Sequence, residues 1–261
     1  MSWKKHQKSD WQDLIFSEEE TQKSEFIPLI TDEEEESMNK VEVPETIPIL
    51  PLRNTVLFPG VILPITVGRE KSLKLIDEVY NNDRFLGAVA QKDPNTEEPG
   101  FNDLYSAGTI AQVIKILEMP DGSTSVIIQG KKRFHLNELI ERDPYFKATV
   151  TTIEDKKRQA QGKEFEAIVG SLKDLSLKII NLSSNIPQEA SFAVKNIENS
   201  TFLINFICSN SDIELKDKQQ LLETDDLKER SVNLLEHLTK EVQMLELKSD
   251  IQKKIKNDMD K

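Results

Sequence analysis

Between residues 45 and 155 the apolar positions come in short runs cut by proline and glycine, the texture of strands and turns; beyond 155 they recur every three to four residues, the texture of helices. Residues 47–52, 56–58 and 61–67 are rich in Ile, Val and Leu and are broken by Pro48, Pro51, Pro59, Gly60 and Pro64. Proline has no N–H to give to a ladder, so these segments are expected at edges, bends or strand ends. From Gly68 onward Leu73, Ile76, Val79 and Tyr80 take helical spacing, with Glu70 in the first turn, where a helix N-terminus favours negative charge. The pattern predicts one helix over 69–81. A strand over 84–91 and a polar loop over 92–102, marked by Pro94, Pro99 and Gly100, come next. Strands at 108–117 and 124–129 flank Pro120-Asp121-Gly122, a hairpin signal. Two further strands, 133–140 and 145–153, are parted by Asp143-Pro144. Six or so short strands with one helix predict an α+β protein whose first folded part, 45–155, is a small antiparallel, barrel-like lobe.

In the second half, Phe165, Ile168, Val169, Leu172, Leu175, Ile179 and Ile180 form a broad stripe over 163–182. Pro187 suits the first turn of a short helix, and 201–208 and 215–222 read as two more, completing a helical bundle over 156–224. From Asp225 to Lys261 one long helix is predicted, with Leu227, Leu234, Leu235, Leu238, Val242, Leu245, Ile251, Ile255 and Met259 on a drifting face. At about 1.5 Å per residue it reaches roughly 50 Å, longer than the bundle needs. Past Leu245 its apolar residues are sparse among charges, and a lone helix of that kind is marginal in water. A projecting helix that packs on something else, or on a second copy, is expected.

Charge changes the picture at the N-terminus. Of the net −12, residues 1–46 carry 13 acidic and 5 basic side chains, so the remainder is close to neutral. Residues 1–44 are therefore expected to be a disordered acidic tail, with two apolar islands at 11–16 and 26–30 as possible docking elements. An acidic chain repels phosphate backbones, which argues against nucleic acid as a partner. The single cysteine, Cys208, allows no internal disulfide and sits in an apolar run, the setting of a small buried side chain. No stretch has the length and apolarity of a signal peptide or membrane span, so a cytoplasmic protein with no membrane partner is expected.

Catalytic chemistry is missing. A phosphate-binding loop needs G-x-x-x-x-G-K-[ST] so that backbone N–H groups cradle phosphate. Only Gly130-Lys131 and Gly162-Lys163 pair glycine with lysine, and neither has the earlier glycine or the following hydroxyl. No serine sits in a nucleophile elbow, and His6, His135 and His237 are scattered without metal-ligand spacing. Neither catalytic residues nor a metal or cofactor site is expected. What remains is binding: exposed sheet edges pair with unfolded backbone, and apolar surface takes its side chains. The Phe58-Pro59-Gly60 turn and the Pro64 strand are candidates for such an edge, against the plainer reading of Phe58, Val61, Ile62 and Leu63 as core. Glu70, Lys71 and Lys74, on the polar side of the first helix, are candidate substrate or subunit contacts. Lys131-Lys132-Arg133, the sole basic cluster of the folded part, reads as a solvated strand end.

Residues 51–72, PLRNTVLFPGVILPITVGREKS, resemble the signature of the Lon N-terminal domain, the substrate-recognition end of an ATP-dependent protease. The resemblance continues through 88–134, and 215–261 resembles the helical region of bacterial Lon that leads toward its ATPase module. It implies a substrate-recognition and assembly region of a Lon-type serine protease that degrades misfolded and regulatory proteins, truncated before its AAA+ and protease modules. Unfolded polypeptides are the implied partners and a hexamer the implied assembly of the parent, with this chain alone a monomer or dimer. ATP and magnesium are implied only for the ATPase module. A stand-alone Lon-domain adaptor that presents clients to another machine is the alternative.

Overall fold

The computed structural model describes residues 30–157, 160–183, 186 and 189–259. Six strands, β1 (Thr46–Leu52), β2 (Ile62–Val67), β3 (Phe85–Ala90), β4 (Ala107–Glu118), β5 (Thr124–Glu141) and β6 (Lys147–Ile153), form one sheet in the order β2-β5-β4-β3-β1-β6. A further β5–β6 pairing returns the ladder to its start, so five strands close a ring and β2 stands outside it on β5. The pairings are antiparallel except β1–β3, which is parallel and makes the sheet mixed. Parallel neighbours need a crossover, and here β2 and a helix, Glu70–Asn81, lie between them in the chain.

Two expectations about the strands give way to the ladder. Residues 124–129 and 133–140 are one strand, β5, 18 residues long, which changes partners along its length: β2 and β4 first, then the start of β4 and β6. Gly130 permits the change. A Cβ there would lie 2.3 Å from the Phe58 carbonyl oxygen, and the β4 register slips opposite this point. Likewise β1, despite Pro48 and Pro51, is interior and not an edge. Its residues 46–48 pair with β6 and 49–52 with β3. The Ile49 N–H donates toward β6, to Phe146 O at 2.8 Å. By alternation the Pro51 nitrogen faces the side that β6 has already left, and that of Pro48 faces β3 before its ladder begins. Neither proline is asked for a hydrogen bond. The hairpin forms as expected, with Gly122 at φ 82° and Asp121 Oδ1 accepting from Ser123 N at 2.9 Å.

The helices are α1 (Asp32–Asn39), α2 (Glu70–Asn81), α3 (Gly162–Leu182), α4 (Glu189–Asn196), α5 (Ser200–Asn210), α6 (Leu215–Glu223) and α7 (Leu227–Met259). α2 turns Leu75, Ile76 and Val79 onto the sheet. α3 and α7 pack along each other through Leu172, Ile179, Leu234, Leu238 and Val242. Fully burying such a side chain stabilises by about 1.5–3 kcal/mol. That cluster also takes in Val56, Phe58 and Val61 from the β1–β2 connection and Ala90 from β3, so the two lobes share a core. Beyond Val242 the α7 stripe emerges into solvent: Met244, Leu247, Ile251 and Ile255 are 49–66 % exposed.

The expected tail through residue 44 is corrected from Ile30 onward. Thr31 and Glu34 form a capping box that starts α1, Ile30 is buried among the helices, and Val43 packs on the sheet core. Acidic composition weighs little here, because Asp32 and Glu33–Glu35 sit in a first turn that favours carboxylates. The islands at 11–16 and 26–29, and Pro187, lie outside the described residues.

Candidate peptide-binding groove

Because among the described residues β2 has a neighbour only on its β5 side, its other side faces a groove of about 610 Å³ toward the C-terminal end of β1 and the start of α2. Alternation of the two strands sets its floor: Leu50, Leu52 and Val67 are buried, and Leu63 and Ile65 are half-buried against the same core. Pro64 and Thr66 alternate outward and are exposed. Arg53 and Arg69 stand on the rim. Arg69 donates from Nη2 to Gln91 Oε1 (2.8 Å) and Thr96 O (3.3 Å). Partial burial, then the nearby Arg53 charge, hold its guanidinium below the usual arginine range, with Glu98 acting in opposition. An apolar trough beside a strand with one free side, with cations at its mouth, suits an extended polypeptide.

The predicted site residues fall into two places. Phe58 is fully buried, Pro59 half-buried, and Gly60 is buried at φ 82° with Phe202 and Ile30 against it. The Pro59 carbonyl accepts from Asn205 Nδ2 at 3.2 Å. This turn is the seam between the lobes, which supports the core reading of Phe58. Glu70, Lys71 and Lys74 lie together at the exposed start of α2, beside the groove. Lys74 donates to Glu70 Oε1 at 2.6 Å, which with its charge holds the Glu70 carboxyl below the usual range. Lys71 pairs with Asp143 Oδ1 at 2.7 Å. At these exposures such pairs contribute little to stability.

Sequence reasoning missed the polar heart of the seam. Arg133, read as part of a solvated cluster, is 2 % exposed, and Arg230 is 0 % exposed. Arg230 donates to Asp155 Oδ1 (2.6 Å), Asn205 Oδ1 (3.2 Å) and Thr224 O (2.7 Å). Arg133 donates to Leu222 O (2.8 Å) and Asp225 Oδ1 (3.2 Å). Its Nη2 stands 2.8 Å from Asp155 Oδ1 but off the line of a hydrogen bond, so that contact is ionic. Burial pulls the Arg133 guanidinium down from its ordinary value, and Asp155 and Asp225 pull it back. The available signal was Arg230 itself, a charge on the Leu227–Leu234 face of an amphipathic helix.

Neither glycine–lysine pair suits a nucleotide. Gly130 lies in mid-strand against Phe58, and Gly162-Lys163 opens α3 without phosphate-loop glycines. Among the described residues, no three His, Cys, Asp or Glu side chains gather as metal ligands, and no helix is long and apolar enough to cross a membrane. Cys208 is buried, and burial pushes its thiol up to about 12.

Residues 46–240 match the family described as the ATP-dependent protease La (LON) substrate-binding domain. A Lon protease of Flavobacterium johnsoniae is 46% identical over 248 residues, 95% of this chain and 30% of the relative. One of Parabacteroides distasonis is 47% identical over 236 residues, 89% of this chain and 29% of the relative. The chain thus spans about 30% of the length of the curated relatives it matches. The N-terminal domain of the Mycobacterium avium complex Lon protease shares the fold, with TM-score 0.61 at 20% identity over 74% of this chain and 98% of that one. A Lon N-terminal domain protein from Xanthomonas campestris aligns with TM-score 0.54 at 17% identity, over 73% and 96% of the two chains. From its sheet into the first half of its long helix, then, this chain belongs to the Lon protease substrate-binding domain family.

Proposed function

We propose that the chain is the substrate-recognition and assembly region of an ATP-dependent Lon-type serine protease, and that it holds unfolded polypeptide along the free side of β2. In such a protease nucleotide and magnesium belong to an ATPase module, and the chain itself hydrolyses neither ATP nor peptide. The working assembly is a hexamer in the cytoplasm, with misfolded and regulatory proteins as clients. The exposed stripe of α7 and the Glu70–Lys74 face of α2 are surfaces for subunit contact.

The observation that carries the reading is the apolar groove beside a strand with no second neighbour among the described residues. Magnitudes fix what kind of binding this is. Each ladder hydrogen bond contributes about 1 kcal/mol net, while ordering a client residue costs about 1–2 kcal/mol. Backbone pairing alone does not hold a chain; apolar side chains entering over Leu63 and Ile65 must supply the surplus. Binding is therefore weak and tolerant of sequence, as suits a machine with varied clients. The test is an anisotropy titration with a fluorescein-labelled, carboxymethylated unfolded polypeptide. Thr66→Lys, which puts a hydrated charge on the strand edge, is expected to weaken binding at least tenfold without altering the fold. Unchanged binding contradicts the assignment to this edge.

A further inference from the structure

Helix α1 rests on the seam between the lobes, and its hold there is narrow. Ile30 is buried against Gly60, where an added Cβ would stand 2.8 Å from its Cδ1. Asn199, itself buried, donates from Nδ2 to Asp32 Oδ1 (2.6 Å) and Glu35 Oε2 (2.8 Å), and Lys157 pairs with Glu35. No residue of α1 is fully buried, so a few anchors and the Thr31–Glu34 capping box hold it in place. A cavity of about 280 Å³ remains alongside, lined in part by Lys131 and Met38. Lys131 Nζ donates to Gln129 Oε1 at 2.6 Å and makes no ion pair among the described residues. Burial lowers its pKa, and a carboxylate brought near would relieve that cost.

We propose that this seam is a docking site for acidic helical peptide segments led by a branched aliphatic residue, and that residues 30–40 occupy it in cis as a tethered ligand. The receiving residues Gly60, Lys131, Lys157, Asn199 and Phe202 fall within the family span of 46–240, whereas the segment precedes it. The receptor thus lies in the family domain and the ligand on its N-terminal flank, a flank also covered by the Flavobacterium johnsoniae relative, which aligns with 95% of this chain. Tethering gives a local concentration of order millimolar, so a weak segment stays docked until a stronger partner displaces it.

The test uses the full chain carrying Ile30→Asp with Glu35→Lys, and a labelled synthetic peptide of residues 30–44. Hydrogen exchange of the 34–40 amides reads release, and anisotropy reads peptide binding. Those amides are expected to exchange at least tenfold faster in the variant, and the peptide to bind it at least tenfold more tightly than the unaltered chain. Adding Lys157→Glu, a half-exposed position that does not endanger folding, is expected to abolish the binding. Amides that stay protected, or a peptide that binds both chains equally or neither, overturn the proposal. Thr66→Lys leaves this binding unchanged, so the β2 groove and the seam stand or fall separately.

Discussion

Arg133 of β5 and Arg230 of α7 close on one oxygen, Oδ1 of Asp155, at 2.8 Å and 2.6 Å. One guanidinium comes from the sheet and the other from the long helix, and the carboxylate between them follows β6. Two like charges at such range repel strongly in a poorly solvated setting. Asp155, with Asp225 on Arg133, is what permits both to be buried.

Removing that carboxylate leaves Arg230 without its counter-charge and Arg133 with Asp225 alone. Asp155→Ala is expected to cost about 3–5 kcal/mol, the range for breaking a buried ionic pair from one side. Urea unfolding followed by circular dichroism checks it. A loss under about 1 kcal/mol would mean that the apolar seam alone joins the lobes.

This network also shows where the sequence stops being legible. Helices such as α2, α3 and α7 were readable because their apolar spacing is local, and the hairpin because Pro120-Asp121-Gly122 is its own signal. What Arg133 meets depends on α6 and α7, about 90 residues further on, and no local pattern carries that. Pro48 and Pro51 misplaced β1 for the same reason, since an interior strand tolerates proline only when its neighbours divide its length between them. The groove was half-visible: Pro64 marked an edge correctly, while Phe58–Gly60 went to the seam. The acidic run at 32–36 read as tail because its anchors, Asn199 and Lys157, are distant in the chain.

Gly60 is the tightest point of that seam. Its φ of 82° disfavours any side chain, and an added Cβ would stand 2.7 Å from Phe202 Cδ2. Gly60→Ala is expected to destabilise by about 2–4 kcal/mol, from left-handed strain and overpacking together. The unfolding midpoint in urea measures it; a shift of a few tenths of a kcal/mol would mean the turn moves freely.

Glu241, half-buried on α7, has an Oε2 with no hydrogen-bond partner among the described residues. Burial first, then Asp212, push its carboxyl above the usual range, while Lys218 opposes them. A raised folded value means that its protonated form favours folding. That contribution is full below the unfolded carboxyl value of about 4.3 and is lost as pH rises through the folded value. Glu241→Gln is therefore expected to stabilise by about 1 kcal/mol at neutral pH, the low end for an unsatisfied polar group because the carboxyl keeps some solvent. The gain should vanish below about pH 4. Urea titrations at pH 7 and pH 4 check it, and equal effects at both contradict the burial argument.

The free side of β2 is the surface on which the functional account rests, and amide hydrogen exchange reads it residue by residue. With a carboxymethylated unfolded polypeptide added to the intact chain, amides within Ile62–Val67 that face the groove are expected to slow severalfold, while those of α7 beyond Val242 stay unchanged. Polypeptide that binds and leaves every β2 amide at its free rate would contradict the account.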